Sequence, residues 1–150
     1  MIVRRSIITD EPDLVRMGQS FWSETPLSAY SGFNHECLID FIRAASMTET
    51  ASIWVAEDDE RVIGAVGGIV YPLFFSGDLV AQELFWWVDP DSRMSEASKL
   101  LYNELEAWAR DRGAVALSMI AIENGKAERV GNIYKRKGFI PTEHAYVRGL

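Results

Sequence analysis

Leu79-Val80-Ala81-Gln82-Glu83-Leu84-Phe85-Trp86-Trp87-Val88 runs into Asp89-Pro90-Asp91-Ser92-Arg93 and then into Ala97, Leu101, Leu105 and Trp108, which recur at helical spacing. The reading of this stretch decides the fold. Its first ten residues are rich in aromatic and branched side chains and read as a strand, which Asp-Pro-Asp ends. A long amphipathic helix opens near Ser95 and closes on Arg110, Arg112 and Gly113. A strand that feeds a helix N-terminus presents unpaired backbone N–H groups and the positive end of the helix dipole, a combination that holds phosphates. Arg93 adds a full charge at that point. By itself the feature is weak, because every helix has such an end and few of them bind anything.

Working outward, Ile2 to Ile8 reads as a short strand, and Thr9-Asp10-Glu11-Pro12-Asp13 supplies cap, early acids and first-turn proline for a helix that runs to about Trp22. Residues 23–33 hold Pro26, Gly32 and several hydroxyl side chains and read as a loop. Asn34 then caps a second helix with Leu38, Ile39, Phe41 and Ile42 on its apolar side. Ile53–Glu57 and Arg61–Tyr71 form a hairpin about Asp58-Asp59-Glu60, and Leu79–Val88 extends it to three antiparallel strands. Downstream, Ala114–Ile122 has the character of a buried strand, Lys126–Lys137 of a short helix stopped by Gly138, and Phe139–Val147 of a last extended segment. The order β, α, α, β, β, β, α, β, α, β contains no repeat or linker, so residues 1–150 are expected to form one domain.

Composition narrows the function. The chain has 15 Lys plus Arg against 22 Asp plus Glu, a formal charge of −7. That balance is opposite to the footprint of a nucleic-acid binder. No run approaches the roughly 18 apolar residues of a membrane span, and charge interrupts the first residues before a secretory apolar region can form, so no membrane partner is expected. One cysteine, Cys37, gives neither an internal disulfide nor a thiolate cluster, which suits a reducing, cytoplasmic setting and leaves no metal site. As a lone helical cysteine it is expected to be small and buried. His35 and His144 have no carboxylate at a catalytic spacing and read as solvated or satisfied. Gly64-Ala65-Val66-Gly67-Gly68 lies inside a strand with no helix after it, so it is close packing or a bulge and not a nucleotide loop. Lys135-Arg136-Lys137, with Lys126 and Arg129, is a basic patch on an acidic protein; most such runs are a solvated helix face.

A second informative unit is Tyr134-Lys135-Arg136-Lys137-Gly138-Phe139, with Asn124 ten residues before the tyrosine. A tyrosine one turn before a glycine cap is usually half-buried packing, and its functional reading is a proton donor. Together, Val88-Asp89-Pro90-Asp91-Ser92-Arg93 and Tyr134-x-x-x-Gly138-Phe139, on this element order, resemble the GNAT superfamily of N-acetyltransferases over nearly the whole chain. Glu83–Pro90 and Pro141–Arg148 are most similar to small phage- and prophage-associated members. The resemblance implies an α+β fold with a mixed central sheet of about six to seven strands, antiparallel in its N-terminal part, and about four helices. It also implies that the fourth strand (Leu79–Val88) and the fifth (Ala114–Ile122) splay apart around acyl-CoA.

In that family the pantetheine arm pairs with backbone groups, here around Trp87 and Val88, and the pyrophosphate sits on the loop equivalent to Arg93-Met94-Ser95-Glu96-Ala97-Ser98. Asn124 and Tyr134 complete the implied cofactor set. The family loop normally carries glycines that let the backbone approach the pyrophosphate; here Glu96 and Ser98 stand at those positions. The implied reaction is attack of an amine on the thioester of acetyl-CoA, with no metal. Glu83 is the candidate base, on a two-residue period that places it with Phe85 and Trp87; the competing reading is a strand-end carboxylate in solvent or paired with a base. Tyr134 matches the family tyrosine that faces the CoA sulfur, and a backbone N–H at Trp86–Val88 would polarise the thioester carbonyl.

Phe21, Trp22, Tyr30 and Phe33, with Tyr71 and the segment up to Phe75, are the candidate acceptor residues. So many aromatics in two loops suggest a pocket or a homodimer contact. The acceptor is expected to be a small-molecule or peptide amine, and the acidity favours a cationic one. The alternative is a GNAT-fold binding or assembly module, able to dimerise, with a weakened CoA site.

Overall fold

The computed structural model describes residues 1–150. The chain begins with β1 (Ile2–Arg5), α1 (Glu11–Ser23) and α2 (His35–Ser46), continues through β2 (Ala51–Asp58), β3 (Arg61–Pro72) and β4 (Leu79–Val88), and closes with α3 (Ala97–Asp111), β5 (Ala116–Ser118) and α4 (Ala127–Arg136). Local signals account for most boundaries. Pro12 occupies the first turn of α1. The Asn34 side chain accepts a hydrogen bond from Cys37 N at 3.1 Å and caps α2. The β2–β3 hairpin turns on Asp59 and Glu60, whose φ angles of 46° and 62° give the left-handed pair of a tight hairpin turn.

The sheet is ordered β1-β2-β3-β4-β5. β1 to β4 are antiparallel in series, and β5 lies parallel to β4. Each face carries its own core. Trp54, Val66, Ala81 and Val88 pack with Leu101, Leu105 and Trp108 of α3; Ile53, Val55, Ala65 and Trp87 pack with Leu14 and Met17 of α1 and Ile42 of α2.

Two features of β4 prepare a cleft at its open edge. Its register with β3 passes from Gly67↔Phe85 to Gly68↔Glu83, so Leu84 is one residue too many on β4, a β-bulge. A Cβ on Gly67 would meet Phe85, whereas one on Gly68 would meet Leu105 Cδ1 at 2.5 Å, so the two glycines look to opposite faces. Paired residues share a face; Glu83 therefore belongs to the α3 side and Phe85 to the α1–α2 side. The two-residue period that placed Glu83 with Phe85 and Trp87 fails at this bulge. The second feature is that β4 pairs with β5 only through Val80–Gln82 and Ala116–Ser118, beyond which the parallel strands part.

The strand count also departs from the sequence reading. The sheet has five strands and not six to seven, because residues 139–150 join no ladder and are exposed after Phe139. The fifth strand is three residues long and largely exposed, in place of a buried strand over 114–122.

Candidate active site

The cleft opens where β4 and β5 diverge, at the C-terminal ends of two parallel strands, the position at which α/β sheets commonly bind ligands. Glu83 stands at the point of divergence and is only 2 % exposed. Its Oε2 accepts a hydrogen bond from Ile120 N at 3.0 Å, so a side chain takes over where the backbone ladder stops. The carbonyl of the same Ile120 accepts from the Tyr134 hydroxyl at 3.1 Å. One peptide segment thus holds both sequence-derived catalytic candidates. Tyr134 stacks on Trp86, with ring centroids 6.4 Å apart and 21° between planes.

Burial decides the protonation of this pair. Desolvation raises the Glu83 carboxyl to about 7, against the opposing pull of the Ile120 N–H. The Tyr134 hydroxyl is also pushed up, by burial first and then by the neighbouring Glu83 charge, and stays protonated at neutral pH. The solvent-exposed alternative for Glu83 does not hold.

The β4–α3 connection is anchored beneath the sheet. Asp89 is buried; it accepts from Arg16 Nη1 at 2.9 Å and from Trp87 Nε1 at 3.1 Å, and these partners hold its carboxyl below the usual range despite desolvation. Arg93 donates from Nε to the Val88 carbonyl at 3.1 Å and lies 4.9 Å over the Trp87 ring. The Val88 carbonyl, one of the backbone groups implied for pantetheine, is therefore engaged by Arg93. The N–H groups of Arg93, Met94, Glu96, Ser98 and Lys99 meet no protein acceptor, whereas Ser95 Oγ accepts from Ala97 N. Glu96 sits at the cap position of α3, exposed and without a side-chain cap bond.

Asn124 reaches a partner that the sequence did not mark. Its Nδ2 donates to Glu24 Oε2 at 2.9 Å, Lys126 Nζ lies 3.5 Å from the same oxygen, and Arg93 Nη2 lies 3.8 Å from Glu24 Oε1. Glu24, just past the end of α1, ties together the β4–α3 and β5–α4 loops. Its partners are all remote in the chain, and no local pattern singles it out.

The aromatic candidates divide. Phe21 packs edge-on against Phe85 at 6.4 Å, Trp22 Nε1 donates to Ser31 O at 3.2 Å within the loop, and Phe33 meets His35 at 5.2 Å. Tyr30 is exposed, and Tyr71, at the far end of β3, donates its hydroxyl to Gln82 Oε1 at 3.1 Å. Phe74 and Phe75 touch in a tilted pair, 37° between ring planes, at the exposed β3–β4 tip. Cys37 is exposed and not buried. A hollow of about 250 Å³ between α3, β5 and Gly138–Phe139 lies outside this cleft. No cluster of His, Cys, Asp or Glu has metal-holding geometry, and no helix is long and apolar enough to cross a membrane.

An open sheet splayed between two parallel strands, with helices on both faces and a loop of unpaired N–H groups after the fourth strand, is the architecture expected of the acetyltransferase fold. The profile of the acetyltransferase (GNAT) family matches residues 14–139, and the chain belongs to that family. Among solved structures it is similar to AAC(6')-Iy in complex with the bisubstrate analogue CoA-S-monomethyl-acetylneamine, at 15 % identity, TM-score 0.79, covering 98 % of this chain and 95 % of that one. It is also similar to the aminoglycoside 6'-N-acetyltransferase AAC(6')-IG from Acinetobacter haemolyticus, at 14 % identity, TM-score 0.75, with 100 % and 98 % covered. A third is the ribosomal-protein-alanine N-acetyltransferase from Brucella melitensis biovar Abortus 2308, at 16 % identity and TM-score 0.73, with 100 % of both chains covered. At these identities the likeness is one of fold. Among curated proteins, no sequence matches the chain.

Proposed function

We propose that the protein transfers the acetyl group of acetyl-CoA to an amine, with Glu83 as base and Tyr134 as the group that stabilises the departing sulfur. The observation that carries this reading is that one residue, Ile120, donates its N–H to the Glu83 carboxylate and accepts at its carbonyl from the Tyr134 hydroxyl at the mouth of the splayed strands. The residues present fit an acyl-CoA: β4 has no partner strand beyond Gln82 on that edge, and five free N–H groups lie between Arg93 and Lys99.

In this reading the acceptor nitrogen bonds to the thioester carbon and the carbon–sulfur bond breaks. The proton lost by nitrogen passes to Glu83, directly or through a water, since the carboxylate is buried. A carboxyl near 7 is about half ionised at neutral pH, where a general base works best. An alkyl thiolate is a weaker base than the Tyr134 phenolate, whose basicity burial raises. Tyr134 therefore supports the leaving sulfur by turning its one hydroxyl hydrogen from the Ile120 carbonyl to the sulfur, and does not need to surrender that proton fully.

The acceptor is a primary amine on a small molecule or peptide; of the candidates Phe21, Trp22, Tyr30, Phe33 and Tyr71, the exposed Tyr30 and the half-exposed Phe33 are the ones left to meet it, Phe21 being packed on Phe85 and Tyr71 lying at the far end of β3; the net charge of −7 favours a cationic acceptor. Kinship with the phage-associated members rests on the sequence of 83–90 and 141–148, and a cytoplasmic site of action on the reduced cysteine. A second reading, a GNAT-fold binding or assembly module that forms a dimer, draws support from Glu96 in place of glycine and from Arg93 already facing Glu24. Calorimetric titration with acetyl-CoA separates the two. A dissociation constant of micromolar order, about −8 kcal/mol, supports the enzyme; no binding at millimolar ligand supports the module.

A further inference from the structure

We infer that Glu24 is an internal competitor of the acyl-CoA phosphates, an anion of the protein's own that occupies their counter-charges until the cofactor displaces it. The inference rests on the acetyl-CoA reading above and concerns the regulation of that same site.

The geometry has three parts. First, the Glu24 carboxylate is engaged from two loops that frame the cleft: by the charge of Arg93 at 3.8 Å from the β4–α3 loop, and by the donors Asn124 at 2.9 Å and Lys126 at 3.5 Å from the β5–α4 loop. Two cations and an amide N–H around one pair of oxygens is a donor set equally suited to a phosphate. Second, Arg93 is not free to swing away. Its Nε donates to the Val88 carbonyl and its guanidinium carbon lies 4.9 Å from the Trp87 ring centroid, so it is tied down on the same loop that bears the five free N–H groups. A phosphate seated on those N–H groups must share Arg93 with Glu24. Third, Glu24 has no further tie in the fold: its side chain is partly exposed, and its other contacts are those of a helix end. It is held by the site and not by the core.

An arriving diphosphate therefore meets a carboxylate of like charge that already uses its counter-ions, and binding requires that Glu24 be released. Release frees the end of α1, which leads into the loop bearing Tyr30 and Phe33. Occupancy of the phosphate site is in this way communicated to the candidate acceptor loop.

The test is calorimetric titration with acetyl-CoA of wild type, Glu24→Gln, Arg93→Ala, and the Glu24→Gln, Arg93→Ala double variant. Loss of the competing charge tightens binding about three- to fivefold at low salt, the worth of a partly exposed ion pair, and the gain shrinks as salt rises. In the Arg93→Ala background the gain disappears. A structural role for Glu24 gives the opposite sign, because loosening the two loops weakens binding. Wild type that binds, with Glu24→Gln equal or weaker, overturns this inference and leaves the acetyl-CoA reading intact. Wild type that binds nothing at millimolar ligand overturns the acetyl-CoA reading and this inference with it. Should melting show Glu24→Gln to be unfolded, Glu24→Asp, which draws the charge back by one methylene, must show the same direction of change or the inference fails.

Discussion

Replacement of Glu83 by Gln separates what this carboxylate does for the reaction from what it costs the fold. Glu83 titrates near 4.5 in an unfolded chain and about 7 in the folded one. Between those values the folded state binds more protons than the unfolded state, so stability falls as pH rises through the window. The difference of roughly 2.5 units corresponds to about 3 kcal/mol, fully present below pH ~4 and lost above pH ~8. Gln has the shape of the protonated acid but cannot ionise, and its amide oxygen still accepts from Ile120 N. Wild type and Glu83→Gln should therefore unfold at similar urea concentrations near pH 4.5 and diverge steadily above it. At pH 8 the variant should be the more stable by about 3 kcal/mol, or roughly 6–12 °C in melting temperature for a chain of this length. Turnover should fall by about 10²–10⁴-fold, and the residual rate should lose the rise with pH centred near 7. Urea titrations at pH 4.5, 6, 7 and 8, read as the difference between the two proteins, isolate this one group. A difference that stays flat across the range refutes the argument, because it means that Glu83 is not a buried, ionising carboxyl.

Tyr134→Phe removes the hydroxyl that donates to Ile120 O; turnover should drop at least tenfold with the acetyl-CoA dissociation constant unchanged, and the orphaned carbonyl should lower stability by about 1–2 kcal/mol, both read by steady-state kinetics beside calorimetry and denaturation. Gly68→Ala pushes a methyl to within 2.5 Å of the fully buried Leu105 Cδ1 and should cost about 1–3 kcal/mol in chemical denaturation, since the β3–α3 contact has no slack.

Much of this architecture was legible because its signals are local. The acidic turn at 58–60, the Asn34 cap, the strand at 79–88 and the stripe of Ala97, Leu101, Leu105 and Trp108 each lie within one element, and the structure returns them within a few residues. What failed to show in the sequence depends on pairing. The bulge at Leu84 has no glycine on its own strand to announce it, yet it turns Glu83 to the opposite face from Phe85. The strand-like pattern of Ile140, Tyr146 and Val147 promised a last strand, but a pattern supplies only one half of a ladder, and these side chains remain exposed. β5 is short for a related reason: past Ser118 the bond across the gap comes from the Glu83 side chain and not from backbone. Glu24 was invisible because all three of its partners are remote in the chain. Tyr134 and Glu83 were singled out as candidates by family resemblance and, for Glu83, by a strand period; their joint attachment to Ile120 could be seen only in three dimensions.

The sheet separates its two cores so completely that no buried side chain belongs to both. Substitutions around Leu14, Met17 and Ile42 should therefore add to, and not compound, those around Leu101, Leu105 and Trp108. For a lineage under selection this is a partition of risk. Under the proposed function, this leaves the wall beneath the aromatic loop free to drift toward new acceptors while the wall behind Glu83 and Tyr134 keeps its shape.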